Sequence, residues 1–295
     1  MGYLFLLIAL LAGATKGYCG KKTSGYTNDF RDAILANIVR MVFCAIIGFM
    51  LVFLTEGAGN VIPDKETLLI SALSGVATSV FVVTWLISVK KSAYMMLDIF
   101  LMLGILIPLI ASSVFFDEKI KTSQWLGIIV LFIAVIIMCS YNNSIKTKIT
   151  PLSLLLLLIC GISNGIADFS QKLFTKYMPD GSTAIFNLYT YIFAAITLLL
   201  ALLLSPKKNS SEDKTNINKF IGYIIVMAIF LFVNSYFKTL AAKHLNAVLL
   251  YPLNQACGLI LSSLMATFLF KEKMTIKGIV GILTAFAGLL IINLI

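Results

Sequence analysis

Four ionisable side chains, Lys16, Arg40, Asp98 and Asp168, stand inside long apolar runs of a 295-residue chain. An ion in hydrocarbon costs roughly 2.5–3.5 kcal/mol on insertion scales, so such residues face a partner, a cavity or a route for solute. Lys16 lies about eight residues, or ~12 Å, from the end of its run, and Asp98 about five residues, or ~8 Å, inside the start of another. The two depths agree within about a helical turn on the same membrane side, which places an ion pair within reach. A purely structural pair would satisfy the same spacing. Asp168 has a local alternative partner, Lys172 at i+4. Asn164 stands four residues before Asp168 on the same helix face, and lipid would reject both. Asn254 and Gln255 form a further polar step, expected on the side opposite the Lys16–Asp98 level. Trp85, Tyr94 and Tyr251 can wall a solute, although Tyr and Trp near helix ends also anchor at the interface. Pro252 follows Tyr251 and opens the local backbone. Arg40 is expected to be paired or to snorkel near the same space.

The elements that must position these residues are membrane helices. The chain is 60% hydrophobic and 12% charged, about half the charged fraction of a soluble domain. A bilayer core takes about 20 apolar residues as helix, and backbone groups in lipid must be bonded internally. The apolar runs predict ten helices: 3–24, 31–55, 67–89, 93–116, 124–141, 151–177, 182–204, 219–240, 247–270 and 277–294. Connections are short and polar, the longest running from Ser205 to Ile217. The net charge of +10 belongs beside lipid head groups rather than nucleic acid. The N-terminal run resembles a signal-peptide core, but no Lys or Arg precedes it and 151–165 repeats the pattern internally, so cleavage is not expected. Cys19, Cys44, Cys139, Cys160 and Cys257 show no CxxC spacing and read as small buried hydrophobes. With His244 as the one histidine, no metal and no cofactor are expected.

An internal repeat organises the chain. A shift of 154 lays Ala93 on Ala247, Gly104 on Gly258, Gly127 on Gly281, and Phe116-Asp117-Glu118-Lys119 on Phe270-Lys271-Glu272-Lys273. A shift of 148 lays Gly13-Ala14-Thr15-Lys16-Gly17 on Gly161-Ile162-Ser163-Asn164-Gly165. The halves are 1–145 and 146–295. Each holds five helices, an odd number, so the second must cross the membrane inverted. The expected fold is therefore an all-α membrane protein with ten transmembrane helices, two inverted five-helix repeats around a central cavity, the usual frame of secondary transporters. The glycine pairs are read as close-packing positions, not a phosphate loop. Glu118 and Glu272 are expected to fix tight turns.

This pattern resembles the drug/metabolite transporter superfamily, EamA type. The residues that carry it are 116–127 (FDEKIKTSQWLG), 270–281 (FKEKMTIKGIVG), Gly13 to Gly17 and Gly161 to Gly165. Ala12-Gly13 replaces the Trp-Gly pair common in that family's first helix. The resemblance implies a polar cavity between the halves, lined mainly by the first, third and fourth helices of each, and alternating access. It also implies both termini in the cytoplasm. The charge count points the other way: with the N-terminus inside, inner connections carry seven Lys and Arg and outer ones fourteen. The related small multidrug resistance proteins use an acid in their first helix; Lys16 here suits a solute with an anionic or zwitterionic group, while Asp168 leaves room for a proton or cation.

The expected function is secondary active transport of small polar metabolites across the cell membrane without ATP, by a multi-pass protein acting as monomer or homodimer. Its partners would be a small-molecule substrate, membrane lipid and a coupling proton or ion, with no nucleic acid. A flippase for amphipathic substrates is the alternative. An intramembrane enzyme is disfavoured, because HExxH and acidic metal clusters are absent from the sequence.

Overall fold

The computed structural model describes residues 1–27, 29–57, 61–91, 94–118, 121–144, 150–205, 220–271 and 276–294. Its helices are α1 (Gly2–Ser24), α2 (Phe30–Thr55), α3 (Lys65–Lys91), α4 (Tyr94–Leu103), α5 (Leu106–Phe116), α6 (Thr122–Ser144), α7 (Pro151–Tyr177), α8 (Thr183–Leu204), α9 (Ile221–His244), α10 (Ala247–Phe268) and α11 (Ile276–Leu294). Among the described residues, eight stretches are long and apolar enough to cross a membrane, and α6 and α11 contribute two shorter apolar helices. These make the ten spans. The fourth, Leu97–Phe116, is one span made of two helices. The Glu272-Lys273 half of the repeat match and most of the long loop lie outside the described residues.

The break in the fourth span departs from the single helix the apolar run predicts, and it has a local cause. Pro108 has no N–H to give the Gly104 carbonyl, and its ring crowds that carbonyl. Around the break the bonds shorten to i→i−3: Gly104 N to Leu101 O at 3.0 Å, Ile105 N to Met102 O at 3.0 Å and Ile107 N to Gly104 O at 3.1 Å. Helix starts are set by side chains. Thr150 and Ser153 form a reciprocal capping box, with Pro151 in the first turn.

The repeat is visible in the backbone itself. Among the described residues, two non-glycine positions have positive φ, Asp117 at 54° and Lys271 at 51°. They are the same position of the two repeats under the shift of 154. Asp117 ends the fourth span of its half as a left-handed cap, whereas Lys271 lies just beyond the end of α10, whose cap Leu269 is right-handed.

The halves interlock rather than sit side by side. The first helix of each packs most closely on the third of the other, α1 on α9 and α7 on α3. The second helices meet each other, α2 on α8, and so do the fifth, α6 on α11. Lipid gives helices no hydrophobic reason to associate, so close approach must supply the attraction. Gly127 and Gly288 bring α6 and α11 into contact, where an added Cβ on Gly127 would lie 2.6 Å from the Gly288 carbonyl. Gly104 lies against the backbones of Gly161 and Gly165.

Lysines staple the crossings. Lys21 of α1 donates to the Val89 carbonyl at 3.0 Å. Lys172 of α7 donates to Ala242 O at 3.3 Å and Leu245 O at 2.7 Å. Both cations thus meet the C-terminal carbonyls of a third helix, where the helix dipole favours them. Glu118 completes the second staple. Its Oε2 accepts the Ala247 N–H at 3.0 Å, at the positive end of α10. Its Oε1 pairs with Lys172 at 3.6 Å and Lys176 at 3.5 Å. Glu118 therefore caps the start of α10 rather than fixing only its own turn.

The seam between α4–α5 and α7 predicts a contrast between two substitutions. Gly165→Ala should cost about 1–3 kcal/mol by overpacking and lower the unfolding temperature in detergent. Gly222→Ala, with nothing within 4 Å of an added Cβ, should leave it unchanged or raise it. Equal effects would show that the seam is not closed backbone to backbone.

Candidate functional site

Seven of the residues singled out in the sequence meet in one place. Lys16, Trp85, Asp98, Asn164, Asp168, Asn254 and Gln255 line a single cavity of about 120 Å³. Its walls come from α1, α3 and α4 of the first half and α7, α9 and α10 of the second, which are the first, third and fourth spans of each repeat. Asn254 and Gln255 were expected at a level apart from Lys16 and Asp98. They share one space because the halves interlock, bringing each first helix beside the other half's third.

Two groups that composition made look ordinary complete the wall. Lys238 and Asn234, both on α9, face the same cavity. Lys238 Nζ donates to Asp168 Oδ1 at 2.5 Å, and both side chains are about nine-tenths or more buried. Asp168 is thus not paired with Lys172 at i+4. Lys172 points instead to the ends of α9 and to Glu118. Lys172 and Lys238 also drop out of the charges counted for loops. Asn234 Nδ2 donates to Ala9 O at 2.7 Å and ties α9 to α1. A shift of 153 would have flagged both residues, since it lays Asn234 on Phe81 and Lys238 on Trp85, which line the opposite wall.

The remaining candidates fall around this cavity. Tyr251 does not face it; the ring is fully buried, and its hydroxyl donates to the Asp168 carbonyl at 2.6 Å, fastening α10 to α7. Gln255 Nε2 reaches Leu101 O at 3.5 Å, its own counterpart under the shift of 154. Arg40 is 2% exposed and lines a small adjoining void with Lys16, Phe81 and Trp85. Lys16 and Asp98 share the wall of the cavity, within electrostatic reach of each other. The side chain of Tyr94 lies outside the described residues. Among those residues no group of three His, Cys, Asp or Glu is arranged to hold a metal.

The two glycine pairs serve different ends. Gly161 and Gly165 close on Gly104, as expected of packing glycines. Gly13 and Gly17 line the cavity together with Gly258, the repeat counterpart of Gly104. One of two related seams is shut, and the other forms a wall.

The profile of the EamA-like transporter family matches residues 1–140 and 151–294, one copy over each half. The chain belongs to the EamA-like transporter family. It is therefore a multi-pass membrane protein of a family of small-solute transporters. A protein solved by crystallography is similar over 99% of this chain and 96% of that one, with TM-score 0.69 and 12% sequence identity. At that identity the likeness shows the fold alone. No curated protein matches the sequence.

The ion pair predicts a non-additive pair of substitutions. Lys238→Met leaves a buried carboxylate without its cation and should cost up to about 3–5 kcal/mol, read as a lower unfolding temperature in detergent. Asp168→Asn should also destabilise. The double variant should recover most of the loss; a double variant no better than the worse single one would show that the two residues act separately.

Proposed function

We propose that this protein is a secondary transporter of small polar metabolites in the plasma membrane, working by alternating access without ATP. The observation that carries the reading is the cavity: its walls come from equivalent helices of two inverted halves, and they hold charges and amides that hydrocarbon would reject. Inverted repeats place a site at their interface and expose it alternately by moving one bundle against the other. The contrast between the shut Gly104–Gly161–Gly165 seam and the cavity-lining Gly13, Gly17 and Gly258 supports that cycle. In such a cycle the related seam would be the one shut in the opposite state.

Each group has a role in this reading. Lys16 and Asp98 offer a cation and an anion to a solute from the first half. Asn164, Asn254 and Gln255 give it hydrogen bonds from the second. The Asp168–Lys238 pair offers a carboxylate whose bond to the lysine can be exchanged for one to a coupling proton or ion. Trp85 supplies a flat apolar wall.

The test is solute counterflow in proteoliposomes, with labelled amino acids, organic acids, nucleosides, sugars and organic cations and no nucleotide present. At least one class should accumulate against an imposed gradient of the same solute. Lys16→Ala and Asn164→Ala should slow that exchange at least about tenfold while leaving folded yield near that of the parent. Trp125→Ala, at an exposed outer position, should leave it unaffected. No movement of any class would remove the transport reading; parallel loss of yield and exchange would make Lys16 and Asn164 structural.

A further inference from the structure

Arg40 poses an electrostatic problem that the site as described does not solve. Its guanidinium lies in the interior of α2 at 2% exposure. Nη1 donates to the Met227 sulfur at 3.3 Å, a weak acceptor. Nε has no hydrogen-bond partner. Among the described residues, the titratable groups within electrostatic reach of it are Cys44, Tyr191 and Lys16, none of them a carboxylate. Truly buried charges are almost always paired, because desolvation costs several kcal/mol per ion.

The void beside Arg40 adjoins the cavity. Lys16, Phe81 and Trp85 line both. The void measures about 10 Å³, room for about one water-sized atom. Lys16 stands at the junction, within electrostatic reach of Arg40, Lys238, Asp98 and Asp168. Among the described residues lining the two spaces, Lys16, Arg40 and Lys238 face Asp98 and Asp168. One positive charge remains even when both carboxylates are counted.

We propose that the transported solute carries a carboxylate or phosphate group and that Lys16 and Arg40 together bind it. One anionic oxygen enters the void between the two cations. The body of the solute lies in the cavity against Phe81 and Trp85, and its uncharged polar groups meet Asn164, Asn234 and Gln255. The anion supplies the charge the protein leaves uncompensated, so binding a neutral or cationic solute would leave Arg40 desolvated and unanswered. Guanidinium and ammonium together suit an oxyanion: the first offers a planar fork, the second a point charge. This assignment rests on the transport reading above, since it names the class of solute that the same cavity takes.

The experiment is thermal unfolding of the purified full chain in detergent at constant ionic strength. The probes are mono-, di- and tricarboxylates, phosphate monoesters such as glycerol phosphate, and glycerol and choline as neutral and cationic controls. At least one anion should raise the unfolding temperature by about 2 °C or more at saturating concentration, with glycerol and choline inactive. Which anion acts distinguishes a carboxylate from a phosphate. Arg40→Met should abolish the rise and leave the ligand-free protein as stable as the parent or more so, because it removes a charge that nothing answers. Lys16→Gln, at a half-buried cavity position, should also abolish the rise. A purely structural Arg40 would instead lower the ligand-free unfolding temperature and leave the anion response intact. That result, a response to choline or glycerol equal to that of any anion, or no anion response at all, overturns the proposal. Counterflow of a cation or neutral solute with no movement of anions would defeat this assignment and leave the transport reading standing.

Discussion

Removing an ion from water costs more than almost any other single event in folding, and in this molecule that cost governs where helices can go. Lys16, Arg40, Asp98, Asp168 and Lys238 belong to five different helices. Each would be rejected by lipid on its own helix. Gathered about the cavity and its adjoining void, they share counter-charges, and the helices that carry them must turn those faces inward together. The Asp168–Lys238 pair joins α7 to α9, while Tyr251 fastens α10 to the carbonyl of the same Asp168. One residue thus sets the mutual position of three helices. Farther from the cavity, Glu118 and Lys172 complete the same logic at a helix junction, with the carboxylate at the start of α10 and the ammonium at the end of α9. Each charge meets the helix terminus of opposite sign.

The repeat supplies two copies of every position, and the structure uses the copies differently. Gly20 of α1 has the Trp85 ring packed on it. Under shifts of 148 and 153 the same two positions become Asp168 and Lys238. An aromatic ring on a bare glycine in one half is an ion pair in the other. Phe81 likewise becomes Asn234, and Lys16 becomes Asn164. The cavity therefore has an aromatic flank carried by α3 and an amide-rich flank carried by α7, α9 and α10. A solute meeting such a wall is oriented by it, because its apolar and polar sides have different hosts.

Much of this was legible in the sequence, for identifiable reasons. Apolar length fixes helix number, because a backbone in lipid has few alternatives. The odd count of five fixes inversion. Buried charge is rare enough that Lys16, Asp98 and Asp168 drew notice at once, and the repeat drew Asn164 with them. What could not be read was the interlock. Nothing in the periodicity of α1 says that it will lie on α9 rather than beside its own third helix, so the single polar level was hidden. Lys238 was missed for a related reason. It lies six residues from the end of its helix (Ile221–His244), where lysines usually snorkel to the interface. Comparison with Trp85 in the other half was the available signal. The partner of Asp168 was misassigned because i+4 is the nearest candidate along a helix, and tertiary contacts are not written there.

The difference between the two seams has its own sequence cause. Pro108 removes the bond that would hold Gly104 in a continuous helix, and the fourth span breaks at the point where Gly104 lies against α7. Its counterpart under the shift of 154 is Ser262, which keeps its N–H, and α10 passes through Gly258 unbroken. The second half carries its proline elsewhere: Pro252 is the counterpart of Asp98, a turn and a half before Gly258. The fourth span of each half is thus weakened at a different depth, by the glycine contact in one and beside the polar cluster in the other. Helix order obeys the pseudo-twofold, but backbone stiffness does not. A cycle that exchanged the two seams would pass through states of unequal energy, and these prolines are where the inequality is built in.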